Sequence, residues 1–130
     1  MKAVIRLKPN TSVLVVEDNP ERISWFKKHL PADTVYAMSP SKAENVIGAH
    51  RFDVVFLDHD AIPEFVERSD PHYLDKTFYN VATMLARQGY DGQVVIHSHN
   101  PVGARRLEHV LARHAHVEVI PFGMFNIEKA

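Results

Sequence analysis

Three short polar clusters in this sequence hold residue types that bind metal ions and phosphate. They read ED at residues 17–18, DHD at residues 58–60 and HSHN at residues 97–100, and each follows a short apolar run. Carboxylates bind divalent cations, and imidazoles, with an unperturbed pKa of about 6.5, can exchange protons near neutral pH. Together these groups could bind a phosphate-bearing substrate and transfer protons to and from it.

The apolar runs before the clusters belong to a regular alternation of predicted strands and helices. Apolar and β-branched runs predict five main strands, at Val13–Val16, Thr34–Met38, Asp53–Leu57, Gln93–Ile96 and Val117–Ile120. Apolar residues at helical spacing predict four helices, one beginning at Pro20, one at Pro40 and two more at residues 75–88 and 101–114. Such alternation implies right-handed crossovers, so we predict an α/β, doubly wound, parallel five-stranded sheet.

The order of the strands decides whether the clusters meet. Ligands of doubly wound sheets bind beyond the carboxyl ends of the strands, where the strand order reverses. In the predicted order 2-1-3-4-5 the first, third and fourth strands are neighbours, and each ends in one of the polar clusters. We therefore expect the three clusters to converge in one crevice.

The two ends of the chain and one loop depart from this alternation. Ala3–Leu7 could be an extra edge strand, and the tail at residues 121–130 is too brief for a full last helix. Residues 61–74 belong to a predicted long loop, and loops of this length are uncommon unless they are functional or mobile. We predict a single domain over residues 1–130, with a core at about 12–122.

Composition narrows the classes of protein. The 130 residues are 45% hydrophobic and 24% charged, and the net charge of −1 gives no global sign of nucleic-acid binding. There is no cysteine, which excludes disulfides and thiolate metal sites and suits a reducing compartment. No apolar run approaches the roughly 18 residues of a membrane span, and the first ten residues lack the apolar core of a secretory signal. We expect a soluble, cytoplasmic protein.

The motifs VLVVEDNP and FDVVFLDHD resemble those of the response-regulator receiver domain. By this resemblance Glu17 and Asp18 would hold Mg²⁺, Asp58 would accept a phosphoryl group, and Ser98 would supply the hydroxyl that follows the fourth strand. The resemblance implies a flavodoxin-like fold, here with its last helix short or missing. The chain departs from the receiver pattern at Ile120, where a receiver usually has a lysine before proline.

The motifs LDHD and HSHNPVG resemble more closely the receiver-like group described as cyclic-phosphate processing receiver domains. That group is proposed to act on cyclic phosphates. The resemblance spans about residues 12–122. Its motif positions fall on Asp18, Asp58, His59, Asp60, His97, Ser98, Asn100 and Pro101.

Several carboxylates in one crevice require a positive charge. At about 4 Å and an effective dielectric constant of about 20, each close pair of like charges costs about 4 kcal/mol. A divalent cation is one solution, and the expected ligands are Glu17, Asp18, Asp58 and Asp60. Oxygen ligands favour Mg²⁺, and an imidazole from His59 or His97 would shift the preference towards Mn²⁺ or Zn²⁺.

Hydrolysis of a cyclic phosphodiester also requires an acid and a base. We expect His59 and His97 to fill these roles from neighbouring strand tips, on either side of one phosphoryl group, together with Asp58 and Ser98. Asn100, followed by proline, marks a helix start whose free amides could bind the phosphate. Ser98 and Arg105 could add further contacts to a phosphate or a nucleotide backbone.

Three functions remain open from the sequence. The first is an enzyme that hydrolyses a cyclic phosphate, for example a 2′,3′-cyclic phosphate of a nucleotide or of an RNA end. The second is a stand-alone receiver that is phosphorylated on Asp58. The third is a degenerate receiver that serves as an interaction module, for example as a homodimer through the face that a missing last helix would leave uncovered.

Overall fold

A computed structural model of the chain describes residues 2–59 and 78–129. The strands are β1 (Ala3–Leu7), β2 (Val13–Val16), β3 (Val35–Ala37), β4 (Val54–Leu57), β5 (Gln93–Ile96), β6 (His116–Val119) and β7 (Phe125–Lys129). The helices are α1 (Pro20–His29), α2 (Pro40–Ala49), α3 (Tyr79–Arg87) and α4 (Pro101–Leu111). The predicted ligand Asp60, the predicted loop at 61–74 and the first residues of the predicted helix at 75–88 lie outside the described residues.

The main sheet has five parallel strands in the order β3-β2-β4-β5-β6. Counted from β2, this is the order 2-1-3-4-5, so the predicted doubly wound fold is confirmed. The three central strands are aligned at their carboxyl ends, because Val16 pairs with Leu57 and Leu57 pairs with Ile96. The residues that follow these three strands therefore begin at the same level of the sheet.

Two short strands at the ends of the chain form a second sheet. β1 and β7 pair in parallel, with Ala3 opposite Phe125, so β1 is not an edge strand of the main sheet as we had predicted. In β7 the apolar Phe125 and Ile127 alternate with polar residues, which is the pattern of a half-covered strand. Within the described residues, the segment after β6 contributes β7 to this two-stranded ribbon and contains no fifth helix.

The main sheet separates two apolar cores. On one face Val16, Leu57 and Ile96 pack with residues of α2, α3 and α4. On the other face Val15 and Phe56 pack with α1 and with the β1–β7 ribbon, whose inward side chains are Ile5, Leu7 and Phe125. The ribbon thus covers the face that the homodimer hypothesis had assumed to be open.

Side-chain caps fix where the helices begin. The carboxamide oxygen of Asn19 accepts hydrogen bonds from the backbone amides of Glu21 and Arg22, at 2.9 and 3.2 Å, and starts α1. Asn100 starts α4 in the same way by accepting from the Gly103 amide at 3.0 Å. Each cap is followed by proline at the first helical position, as the sequence predicts. The first turns of both helices are therefore held next to the strand ends.

Candidate functional site

Glu17, Asp58 and His97 form a row at the carboxyl edge of the main sheet. Each directly follows the last residue of β2, β4 or β5, and the aligned register brings the three together. Alternation along the strands places them on the face that α1 covers. All three are buried, and one potential metal-ligand atom from each lies within 4.8 Å of the others. This part of the predicted convergence is therefore present.

Glu17 is the most heavily bonded member of the row. Its Oε1 accepts from His97 Nε2 at 2.9 Å and from Arg22 Nη1 at 3.4 Å. Its Oε2 accepts from the backbone amides of Asp18 and Asn19, at 3.0 and 3.2 Å. Burial opposes ionisation of this carboxyl, but these hydrogen bonds and the Arg22 charge outweigh burial and hold the pKa of Glu17 below its usual range. Glu17 is therefore an ionised, fixed carboxylate.

Asp58 lies in the middle of the row in a different electrostatic environment. Its Oδ1 accepts from the backbone amide of His59 at 2.9 Å, and its Oδ2 lies 4.0 Å from Arg22 Nη1. Burial, followed by the neighbouring charge of Glu17, raises the pKa of Asp58 to about 8. A cation that bound here would compete with the Asp58 proton.

His97 supports the row from within the core. Its ring is fully buried and lies with its centroid 5.3 Å from that of Phe26 on α1. Burial lowers the pKa of His97 despite the hydrogen bond to Glu17, so the neutral ring donates from Nε2. Nδ1 is buried and has no hydrogen-bond partner within the described part of the chain. The position of His97 suits a residue that orients Glu17.

His59 lies on the other face of the sheet. Because Leu57 pairs with Ile96, Asp58 is level with His97 and His59 is one residue further on, so its side chain points the opposite way. Its buried ring lies against Gly103 in the first turn of α4. The structure therefore does not bring the His59 and His97 imidazoles to the two sides of one phosphoryl group, as we had expected.

Ser98 and Asn100 are used in the local structure before α4. The Ser98 hydroxyl accepts from the Asn100 amide at 3.0 Å, and Asn100 caps the helix. Ser98 and Arg105 also line a cleft of about 380 Å³ with His99 and Pro121. Glu17, Asp58 and His97 do not line this cleft. The predicted phosphate contacts of Ser98 and Arg105 therefore lie in a different place from the buried row.

Arg22 is the site residue that the sequence analysis missed. It lies in the first turn of α1, where its Nη1 contacts Glu17 and approaches Asp58, and its guanidinium lies 5.1 Å from the ring centroid of Phe122. The sequence contains a signal for this position, because Asn19 and Pro20 mark the helix start and so place Arg22 in the first turn of the helix that follows β2.

The row contains the donor types of a divalent-cation site. The two carboxylates lie close enough to share an ion, which suits Mg²⁺. The His97 imidazole could join as a ligand only if Nε2 gave up its hydrogen bond to Glu17, and that would shift the preference towards Mn²⁺ or Zn²⁺. Of the other predicted ligands, Asp18 is half-buried and is not a member of this set. The residues present thus fit a cation, with Glu17 and Asp58 as its expected oxygen ligands.

Comparison with known proteins places the chain in a family. The family model described as the cyclic-phosphate processing receiver domain matches residues 13–113, and none of the curated proteins matches the chain. A receiver domain of a Francisella response regulator has a similar structure, with a TM-score of 0.61 and 18% identity over 88% of this chain and 86% of that one. The N-terminal domain of an uncharacterized protein from Wolinella succinogenes is also similar, with a TM-score of 0.62 and 17% identity over 88% of this chain and 83% of that one.

These two structural likenesses agree with the strand order and with the four helices of the described residues. Among residues 2–59 and 78–129, no helix combines the length and the apolar character that a membrane span requires. The family model covers most of the chain, including all three strand ends that form the buried row. The chain is therefore a receiver domain and belongs to the cyclic-phosphate processing receiver domain family.

Proposed function

We propose that this domain binds a cyclic phosphate beyond the carboxyl ends of β2, β4 and β5 and hydrolyses one of its phosphoester bonds. The observation that carries the proposal is the buried row of Glu17, Asp58 and His97 with Arg22 beside it. Buried ionisable groups are costly for the fold unless they serve a purpose, and this group lies where doubly wound sheets bind ligands. The description of the family supports the choice of a cyclic phosphate.

The reaction adds water across a phosphorus–oxygen bond. The water oxygen bonds to phosphorus, the bond to one ring oxygen breaks, that oxygen takes a proton, and a phosphomonoester is released. A divalent cation held by Glu17 and Asp58 would neutralise charge on the phosphoryl oxygens when bound. Within the protein, His97 orients Glu17, and Asp58 is the carboxylate that faces the phosphoryl group. The ion we expect is Mg²⁺, with Mn²⁺ and Zn²⁺ as alternatives because of the imidazole nitrogen.

Turnover of cyclic nucleotides tests the proposal. The purified protein is offered 2′,3′-cyclic and 3′,5′-cyclic nucleotides, each with Mg²⁺, Mn²⁺ or Zn²⁺. We expect turnover of a 2′,3′-cyclic nucleotide and a loss of at least about a hundredfold in Asp58→Asn. The control is Asp33→Asn, because Asp33 is exposed and precedes β3 at the opposite edge of the sheet. Absence of turnover with every ion, or equal rates in Asp58→Asn and the wild type, would reject hydrolysis.

Phosphorylation of Asp58 is the second candidate function. The central place of Asp58 in the row, 4.0 Å from the Arg22 guanidinium, suits a carboxylate that accepts a phosphoryl group. Acetyl phosphate with Mg²⁺ serves as the donor, and intact-mass measurement detects the added group. Stable labelling that is lost in Asp58→Asn, without turnover of a cyclic nucleotide, would favour this function over hydrolysis.

A further inference from the structure

We propose that Arg22 is the phosphate-binding residue of this site and that its guanidinium holds the phosphoryl group against the buried row. The inference rests on the proposed function for the place of the phosphate, but it does not depend on the reaction. It assigns the positive charge of the site to α1 and not to the end of the last main strand, where Ile120 stands.

The backbone of α1 fixes the base of the Arg22 side chain. Its amide donates to the Asn19 carboxamide at 3.2 Å, in the capped first turn of a ten-residue helix. The next contact is at the other end of the side chain, where Nη1 lies 3.4 Å from Glu17 Oε1 and 4.0 Å from Asp58 Oδ2. Both ends of this long side chain are therefore held, and little rotamer entropy remains to be lost when a ligand binds.

The guanidinium lies over an aromatic ring. Arg22 lies over Phe122, with 5.1 Å between the guanidinium carbon and the ring centroid. The Phe122 amide donates to the carbonyl of His97 at 2.9 Å, so the platform is tied to the same row. The contacts to Glu17 and Asp58 are made by Nη1, one of the three guanidinium nitrogens that together carry five N–H donors.

Exposure decides which group of the cluster an incoming anion meets. The Arg22 side chain is 24% exposed, whereas those of Glu17 and Asp58 are 0% and 8% exposed. In the described part of the chain, no other lysine or arginine contacts these two carboxylates. The accessible part of the cluster is therefore the Arg22 guanidinium, whereas the buried part is acidic.

The chemistry of the guanidinium identifies the ligand. A planar group with parallel N–H donors matches two oxygens of one phosphate or phosphodiester, and a lysine ammonium cannot reproduce that geometry. The preferred ligand is therefore a group with two free phosphoryl oxygens close to Asp58. A cyclic phosphodiester and its phosphomonoester product both have such a pair.

Binding of inorganic phosphate, measured by calorimetry, tests the inference without any reaction. We expect Arg22→Gln to weaken phosphate binding by at least about tenfold and Arg22→Lys by about threefold or more. The matched control is Lys28→Gln, which removes an exposed charge from the same helix and should leave the affinity unchanged within about twofold. Equal affinities of Arg22→Gln and wild type, or no phosphate binding by the wild type, would overturn the inference.

A second readout separates this inference from the proposed function. With a 2′,3′-cyclic nucleotide as substrate, Arg22→Gln should raise KM by about tenfold or more, and Arg22→Lys should restore part of that loss. If phosphate binding depends on Arg22 but no cyclic nucleotide is hydrolysed, the hydrolysis proposal fails and the inference stands. If hydrolysis proceeds with an unchanged KM in Arg22→Gln, the inference fails and the hydrolysis proposal stands. Should Arg22→Gln not fold, Arg22→Lys retains the charge and carries both measurements.

Discussion

His59 and Gly103 are in direct contact across two elements of the fold. A Cβ atom on residue 103 would lie 2.4 Å from His59 Cγ and 2.5 Å from His59 Nδ1. The ring is buried against the first turn of α4, directly after the end of β4. The glycine of the HSHNPVG motif is therefore required by the imidazole of the LDHD motif.

The contact predicts an unusual effect of alanine in a helix. Gly103→Ala would normally stabilise a helix by up to about 1 kcal/mol, but here we expect the clash to lower the free energy of unfolding by about 1–3 kcal/mol. Gly48→Ala in α2 is the control, because among the described residues its Cβ would meet Met84 Cε at 3.5 Å, an ordinary contact, and the substitution should stabilise slightly. Urea denaturation measures both variants, and a Gly103→Ala protein as stable as the Gly48→Ala protein would contradict the contact.

The hydrogen bond between His97 and Glu17 predicts that substitutions of these two residues have coupled effects on the free energy of unfolding. Both are buried, and loss of the imidazole removes a hydrogen bond and leaves the Glu17 carboxylate short of a donor, so His97→Ala should lower the free energy of unfolding by about 3–5 kcal/mol. In a double-mutant cycle with Glu17→Gln, we expect a coupling energy of about 1 kcal/mol or more. The exposed His114→Ala is the control. Additive effects of the two substitutions would show that the pair does not interact as described.

The raised pKa of Asp58 predicts that the free energy of unfolding falls as the pH rises. Its pKa is raised, so the folded protein retains this proton while the unfolded chain loses it, and stability decreases from about pH 4 up to the folded pKa of about 8. Without divalent cations, Asp58→Asn should unfold with a free energy about 1–3 kcal/mol higher than wild type near pH 8. The difference should vanish below about pH 4. A difference that does not change between pH 4 and 8 would exclude a raised pKa.

The lowered pKa of Asp53, which precedes the amino end of β4, predicts the opposite dependence of stability on pH. Its carboxylate accepts from the Ser12 amide at 2.9 Å and from the Ser12 hydroxyl at 3.0 Å, and these bonds lower the pKa of Asp53. The stabilisation is complete above the ordinary pKa of about 4 and is lost as the pH falls through the lowered value. Because Asp53 is exposed, Asp53→Asn should cost only about 0.5–1 kcal/mol at pH 7 and less at pH 2. A cost that is equal at both pH values would contradict the assignment.

The sequence was sufficient for the fold and for the expectation that residues following different strands meet. Apolar runs of four residues, helix caps such as Asn19 and Asn100, and the preference for right-handed crossovers predict the sheet and its order. Because parallel strands end at one edge, residues that follow different strands had to converge there. One residue from each cluster meets in this way, in the row of Glu17, Asp58 and His97.

Side-chain direction and long-range pairing were beyond the sequence. A shift of one residue in register exchanges the faces of a sheet, so only the observed pairing of Leu57 with Ile96 shows that His59 points away from His97. Arg22 was not recognised because its partners become neighbours only when α1 lies against the sheet. The strand at Phe125–Lys129 has a readable alternation, but its partner β1 lies at the far end of the chain, and no local pattern specifies that pairing.

The ribbon of β1 and β7 has a consequence for how the chain acquires its structure during synthesis. Ile5 and Leu7 are synthesised well before Phe125, which lies in the strand that completes their side of the core. A ribosome-bound chain must hold these apolar side chains and an open strand edge without a partner until synthesis passes residue 129. This side of the core therefore closes only after β7 has been made, and chains cut before β7 should be prone to aggregation.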